Sequence, residues 1–334
     1  MAMLIVRYKN GSKASWGRLT GQAPLCRQDM LELRRLPVEV ETTAALITAL
    51  EKNPQLAETG TPGRISAVNL ISPITNDAQL VCQGLNYRDH AAEAGHHIRK
   101  QNLFFMKASS SLSGPYDDVY RPPEVQLLDY EVEFAIVVRA DIHAAASISD
   151  ANIGDFVAGV VLCDDVSARD TMFGASFFQW FQGKSYRTFC PAGPVLYLLE
   201  RSEVATALES LEISLSLNGE PRQKAVSSQL IYKPPETLTL LTQFMGLRRG
   251  DVVLTGTPGG VIAQGSPRLM EILRTLLLAD DERRTALRTE LLSNARFLHP
   301  GDTLQLRMRD LRFGTELGGQ LTRIAAQAAK HFEG

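Results

Sequence analysis

Hydrophobic and polar positions divide the chain into three stretches of different character. Over residues 1–65, short apolar runs flank Asn10-Gly11 and predict a hairpin around Lys9 to Lys13, helical spacing follows within Glu41 to Lys52, and Thr61-Pro62-Gly63 breaks the pattern. This stretch is expected to be a small N-terminal domain serving packing or oligomerisation, or else a lid on the substrate side. From about Leu80 the chain becomes rich in strands. Glu133 to Val138, Phe156 to Leu162, Val195 to Leu199, Leu211 to Leu217, Asp251 to Thr255 and Thr303 to Met308 are apolar or alternating runs separated by glycine and proline. They do not alternate with long helices as a doubly wound fold requires, so a curved mixed or antiparallel sheet is expected over residues 66–334. Between Pro267 and Phe297 the period changes. Leu269, Ile272, Leu273 and Leu276 recur at helical spacing, Asp280-Asp281 can start a second helix, and Leu287, Leu291 and Leu292 mark its apolar face. The result is a helical insertion at about 266–298.

Composition narrows the function. With 334 residues the chain can bury a sizeable core, and a net charge of −2 with 22% charged residues gives no basic field for nucleic acid or an anionic membrane. No apolar run reaches the roughly 18 residues of a membrane span, and the start lacks a signal-peptide pattern, so a cytoplasmic location is expected. Cys26, Cys82, Cys163 and Cys190 form no CxxC pair, which argues for buried thiols over a disulfide framework or thiolate zinc site. The expected partner is a small molecule.

The chemistry begins at Asp129-Tyr130-Glu131-Val132-Glu133. In a strand, residues two apart share a face, so Glu131 and Glu133 point together, with Asp129 on the same side. Two adjacent carboxylates repel, and burying them requires a proton or a cation. The next apolar strand ends in Asp164-Asp165, either of which can add a third carboxylate. All-oxygen ligation of that kind suits Mg²⁺ first, then Mn²⁺ or Ca²⁺. On the residues alone, an exposed edge strand carrying paired glutamates explains the same pattern, and Asp164-Asp165 alone could be a turn or a helix cap.

Five segments in order resolve that choice: Gly84-Leu85-Asn86-Tyr87-Arg88-Asp89-His90; Asp129 to Glu133; Asp164-Asp165-Val166-Ser167-Ala168-Arg169-Asp170; Gly183-Lys184-Ser185 continuing to Pro194; and Thr255-Gly256-Thr257-Pro258-Gly259-Gly260. Together they resemble the catalytic domain of the fumarylacetoacetate hydrolase family. The resemblance implies an α+β, mainly β fold, a rolled mixed β-sheet, and usually a homodimer. It also implies one divalent cation held by Glu131, Glu133 and Asp165. His90 and Glu93, three residues apart on a helical turn, match the family's general-base dyad, with Glu93 fixing the imidazole tautomer. Lys184 is implied as a catalytic cation, while Lys107, Arg169, Thr257 and Gly256 are expected to meet the substrate, the last two through a hydroxyl and backbone N–H donors. His96 and His97 fall in a polar stretch, Ala94 to Gln101, expected as a lid or as plain exposed loop. Asp164 replaces the family's Asn, Met172 stands where many members carry Gln, and Arg187 stands in place of an acid. The last two changes are expected near the substrate side.

The expected activity is hydrolytic C–C cleavage of an acylpyruvate-like 1,3-diketo acid, a step of aromatic-compound breakdown. The same family also contains decarboxylases, hydratases and isomerases of 2-oxo acids, and a non-catalytic binding or scaffold protein is the alternative of another class.

Overall fold

The computed structural model describes residues 2–93, 101–275 and 279–326. The expected lid with His96 and His97, and Leu276 of the insertion, lie outside the described residues. Among the described residues the fold is built on a twelve-stranded mixed sheet and a five-stranded sheet.

At the centre of the large sheet lie Val132–Val138 and Val157–Asp164, paired antiparallel and buried along their whole length. Period two explains why both faces are apolar. Val132, Phe134, Ile136 and Val138 point into one core, while Ala135 and Val137 point into the other. Each such valine, isoleucine or phenylalanine contributes about 1.5–3 kcal/mol by burial, so the acidic residues are carried by the most firmly held strands in the molecule. The five-stranded sheet covers the first core. Its strand Leu211–Leu217 alternates, with Leu211, Ile213, Leu215 and Leu217 inward, and Thr303–Asp310 supplies Leu304, Leu306 and Met308. The second core is closed by the helix Thr43–Lys52, whose Leu46, Ile47 and Leu50 face inward and whose first turn is capped by the Thr42 hydroxyl accepting from Ala45 N–H at 3.1 Å.

The first strand, Met3–Asn10, pairs with Lys13–Leu19 and also with Cys190–Leu198, so the N-terminal hairpin extends the large sheet. Asn10 pairs with Lys13, which places the turn on Gly11-Ser12, one residue later than expected. Gly11 takes φ +62° there, and glycine adopts that conformation without the Cβ penalty other residues meet. The insertion appears as two helices, Pro267–Arg274 and Asp280–Asn294.

Strand polarity collects the functional loops. Val132–Val138 runs antiparallel to both Val157–Asp164 and Val252–Leu254, and the latter is parallel to Leu80–Gly84. The start of the first strand and the ends of the other three therefore meet at one end of the sheet. There the DYEVE, DDVSARD, TGTPGG and GLNYRDH segments emerge side by side.

Candidate metal centre and active site

Glu133 pairs in register with Cys163, and Asp165 lies two residues beyond Cys163, so Glu133 and Asp165 project to the same face. Glu131 precedes the strand, and its backbone is tied to the neighbouring turn twice. Asp165 N–H donates to Glu131 O at 2.9 Å, and Glu131 N–H donates to Asp164 Oδ1 at 2.9 Å. Carboxylate oxygens of Glu131, Glu133 and Asp165 consequently lie within 4.8 Å of one another, all buried. The expected trio is assembled, and its donors are hard oxygens.

Cations surround it. Lys184 Nζ bridges Glu131 Oε2 at 2.8 Å and Asp165 Oδ2 at 2.7 Å, Lys107 Nζ donates to Asp165 Oδ1 at 2.6 Å, and Arg169 pairs with Glu131 Oε1 at 2.7 Å and with Asp129 Oδ2 at 2.9 Å. Burial alone would raise the Glu131 carboxyl, but Lys184 and Arg169 outweigh it and hold the group well below the usual carboxylate range. Glu133 goes the other way: burial, then the charges of Asp165 and Glu131, push it up, opposed by Lys184 and by the Gly256 N–H, which donates to it at 2.7 Å. A third negative charge on this cluster is therefore resisted until a cation arrives. The set fits a hard divalent ion, which would displace the proton from Glu133.

Two glycines set the geometry. A Cβ at Gly183 would lie 2.3 Å from Met172 Cγ and 3.0 Å from Ala168 O, so only glycine lets the helix Trp180–Lys184 settle on Arg169–Phe173 and deliver Lys184 to the carboxylates. Gly256 has φ +95°, and a Cβ there would be 2.8 Å from Asn86 Cβ. Its N–H can then turn toward Glu133.

The cluster opens into a cavity of about 500 Å³ whose lining includes His90, Glu131, Arg169, Lys184 and Thr257. His90 is buried, and its Nδ1 has no hydrogen-bond partner among the described residues. Burial pushes the imidazole below its ordinary value, opposed by Glu131 and assisted by Arg169 and Lys184, which leaves it neutral and able to accept a proton at neutral pH.

Several expected contacts are made differently. Glu93 does not fix the His90 tautomer: its carboxylate accepts from Gly260 N–H at 2.9 and 3.1 Å, because the TGTPGG loop presents a free donor to it. Gly256 N–H is taken by Glu133, not by a substrate. The Thr257 hydroxyl donates to Val132 O at 3.0 Å and accepts from Gln223 Nε2 at 2.9 Å, so its proton is already engaged. Lys107 is buried behind Asp165 and outside the cavity lining. Arg187 is exposed and Met172 is buried against Gly183, and neither lines the cavity. Asp129 serves Arg169, Ile262 N–H and Ala263 N–H. Asp164 is fully buried with Oδ2 unpartnered among the described residues, and burial raises its carboxyl to about 7.

Sequence reasoning missed the apolar lining: Phe105, Phe173, Phe178 and Trp180, with Leu269, Met270 and Leu273 from the insertion. The aromatic density of Phe173 to Phe181 and the leucine stripe of the insertion were the available signals.

A buried oxygen-donor cluster that could hold a metal ion lies at the strand ends of a mixed sheet, and His90 lines the same cavity as its Glu131. The family model described as fumarylacetoacetate hydrolase C-terminal matches residues 79–325, and the chain belongs to that family. Among curated relatives it is 39% identical over 196 residues to the mitochondrial oxaloacetate tautomerase FAHD2A of Bos taurus, and 39% identical over 197 residues to that of Homo sapiens. Each match covers 59% of this chain and 60% of the relative, so the chain spans less than two thirds of the length of these relatives. Among solved structures, one described as a probable 2-hydroxyhepta-2,4-diene-1,7-dioate isomerase from Mycobacterium abscessus aligns with 98% of this chain and 100% of that one, at TM-score 0.72 and 25% identity. A fumarylacetoacetate hydrolase from Exiguobacterium antarcticum shares the fold at TM-score 0.69 and 23% identity. No described helix is long and apolar enough to cross a membrane.

Proposed function

We propose that this chain is a divalent-metal-dependent hydrolase that cleaves the C–C bond of an acylpyruvate-like 1,3-diketo acid. The observation that carries this reading is the neutral His90 imidazole sharing one cavity with Lys184, Arg169 and Glu131, the last a member of the buried three-carboxylate cluster. A cation on Glu131, Glu133 and Asp165, with Mg²⁺ the best match to hard oxygen donors, would supply Lewis acidity toward the two adjacent oxygens of a 2-oxo acid. Arg169, in the cavity lining, faces the substrate carboxylate. His90 takes a proton from water as the hydroxyl adds to the distal carbonyl carbon. The bond between that carbon and the methylene then breaks, and its electron pair passes to the pyruvate fragment as an enolate. The Lys184 ammonium offsets the developing charge, and the proton returns from His90 to the methylene carbon. The products are a carboxylic acid and pyruvate, with one water consumed.

A tautomerase is the second reading, favoured by the names of the curated relatives. It would use the same base to move a proton between carbon and oxygen of a 2-oxo acid without consuming water. Purified protein with Mg²⁺ or Mn²⁺ should release pyruvate from an acylpyruvate and lose that activity on Glu131→Ala. Keto–enol interconversion of oxaloacetate with no pyruvate from any acylpyruvate would replace hydrolysis with tautomerisation.

A further inference from the structure

We propose that the cavity selects 2-oxo acids whose far end is an apolar chain or ring, and that the insertion 266–298 builds the wall that recognises it. This rests on the acidic cluster holding the 2-oxo acid end, as proposed above.

The cavity is graded from polar to apolar. His90, Glu131, Arg169, Lys184 and Thr257 are buried, whereas Leu273 and Met270 are half-buried and Phe178 is exposed. A bound molecule therefore has its polar head at the closed end and its tail against hydrocarbon. A volume of about 500 Å³ also exceeds what a three- or four-carbon acid fills, and lies within the roughly 300–1,000 Å³ of sites that enclose drug-sized ligands.

The wall is fixed in place. Ser266 caps the first insertion helix by accepting from Leu269 N–H at 2.9 Å, and donates to Glu290 of the second at 2.6 Å. Arg283, fully buried in the second helix, donates to Leu273 O at 2.8 Å and Thr275 O at the end of the first, and to Phe173 O at 3.1 Å on the aromatic side. Arg288 pairs with Asp170 Oδ2 at 2.7 Å, directly beside Arg169. Trp180 packs on Phe173 and Phe105 at centroid separations of 5.6 and 5.1 Å. One arginine thus ties the insertion to Phe173, which, like Leu273, packs on the cluster that holds Leu269, so the apolar lining is a connected and fixed surface.

Calorimetric titration of the Mg²⁺-loaded protein with pyruvate, oxaloacetate, 2-oxooctanoate and 2-oxooctanedioate tests this. Affinity for 2-oxooctanoate is expected to exceed that for pyruvate by at least about tenfold, since burying even part of its added methylenes gives that factor. The ratio should fall toward one in Met270→Gln and Leu273→Gln and be retained in Met270→Leu. A ratio is unaffected by a misfolded fraction. Equal affinities across the monoacids overturn the inference while leaving the metal-site reading intact, as does tightest binding of oxaloacetate. Tighter binding of the dioate than of 2-oxooctanoate, through the exposed Arg274 on the same wall, overturns the apolar tail. No binding by any 2-oxo acid brings down the functional reading and this inference together.

Discussion

Replacing Lys184 by methionine keeps an unbranched side chain, one atom shorter, and removes its charge. The ammonium is 1% exposed and contacts Glu131 and Asp165 at 2.8 and 2.7 Å. Breaking a buried pair by deleting one partner is destabilising by about 3–5 kcal/mol, because the remaining charges are stranded. With an unfolding entropy of about 2.1 cal/mol/K per residue, or about 0.7 kcal/mol/K for 334 residues, a loss of about 4 kcal/mol lowers Tm by about 6 °C in the presence of chelator. A divalent cation offsets part of the loss, since it offers the same carboxylates the charge they lost and no longer competes with the ammonium. Tightening Kd by about tenfold is worth about 1.4 kcal/mol by mass action, so the Mg²⁺-induced rise in Tm should exceed that of the wild type by about 2 °C. Turnover should nevertheless fall by about 100-fold or more, through loss of the positive charge beside the reacting atoms. Scanning fluorimetry with and without Mg²⁺, beside a turnover assay, reads all three. An unchanged Tm under chelator, or a Mg²⁺-induced rise no larger than the wild type's, would refute the view that Lys184 stands in for the cation.

Two further changes probe neighbouring parts. Asp164→Asn keeps an oxygen to accept from Glu131 N–H but cannot ionise. A folded-state carboxyl at about 7, against an ordinary value of about 3.9, means wild-type stability is full below pH 4 and is lost as pH rises toward 7. Under chelator the variant should therefore match the wild type near pH 4 and exceed it by about 2–4 kcal/mol at pH 8, and parallel urea-unfolding profiles at the two pH values would exclude this. Gly256→Ala forces a left-handed backbone on a residue whose Cβ meets Asn86, costing about 1–3 kcal/mol. Turning its N–H away from Glu133 should weaken Mg²⁺ binding by about 10–100-fold in calorimetry.

The strands that carry the chemistry were legible because burial on both faces leaves long apolar runs, and Leu211–Leu217 because it alternates strictly. The strand Thr315–Ala326 was not anticipated: its glycines and polar residues resemble a loop, yet Thr322 and Gln320 are buried and Gln320 donates to the carbonyls of Leu162, Pro191 and Gly193. Short helices such as Trp180–Lys184 exist through tertiary packing and leave no period to detect. At the site, motif order located the three carboxylates and Lys184, which are set by register along the chain. Hydrogen-bond partners were less accessible, because the donors that claim Glu93 and Glu133 come from a loop more than a hundred residues away. The cavity walls were hidden for the same reason, since no spacing rule connects Trp180 to Met270.

The insertion leaves the scaffold after Val252–Leu254 of the large sheet and rejoins it before Thr303–Asp310 of the five-stranded sheet, so it is a connection between two strands, each paired with neighbours outside it. Lengthening or exchanging such a connection carries only a slow entropic penalty. On the reading proposed above, the head-group chemistry lies outside this connection, while part of the tail-facing lining lies on it. A lineage, or an engineer, could graft a different helical pair here and retarget the enzyme while every ionised group at the closed end kept its neighbours.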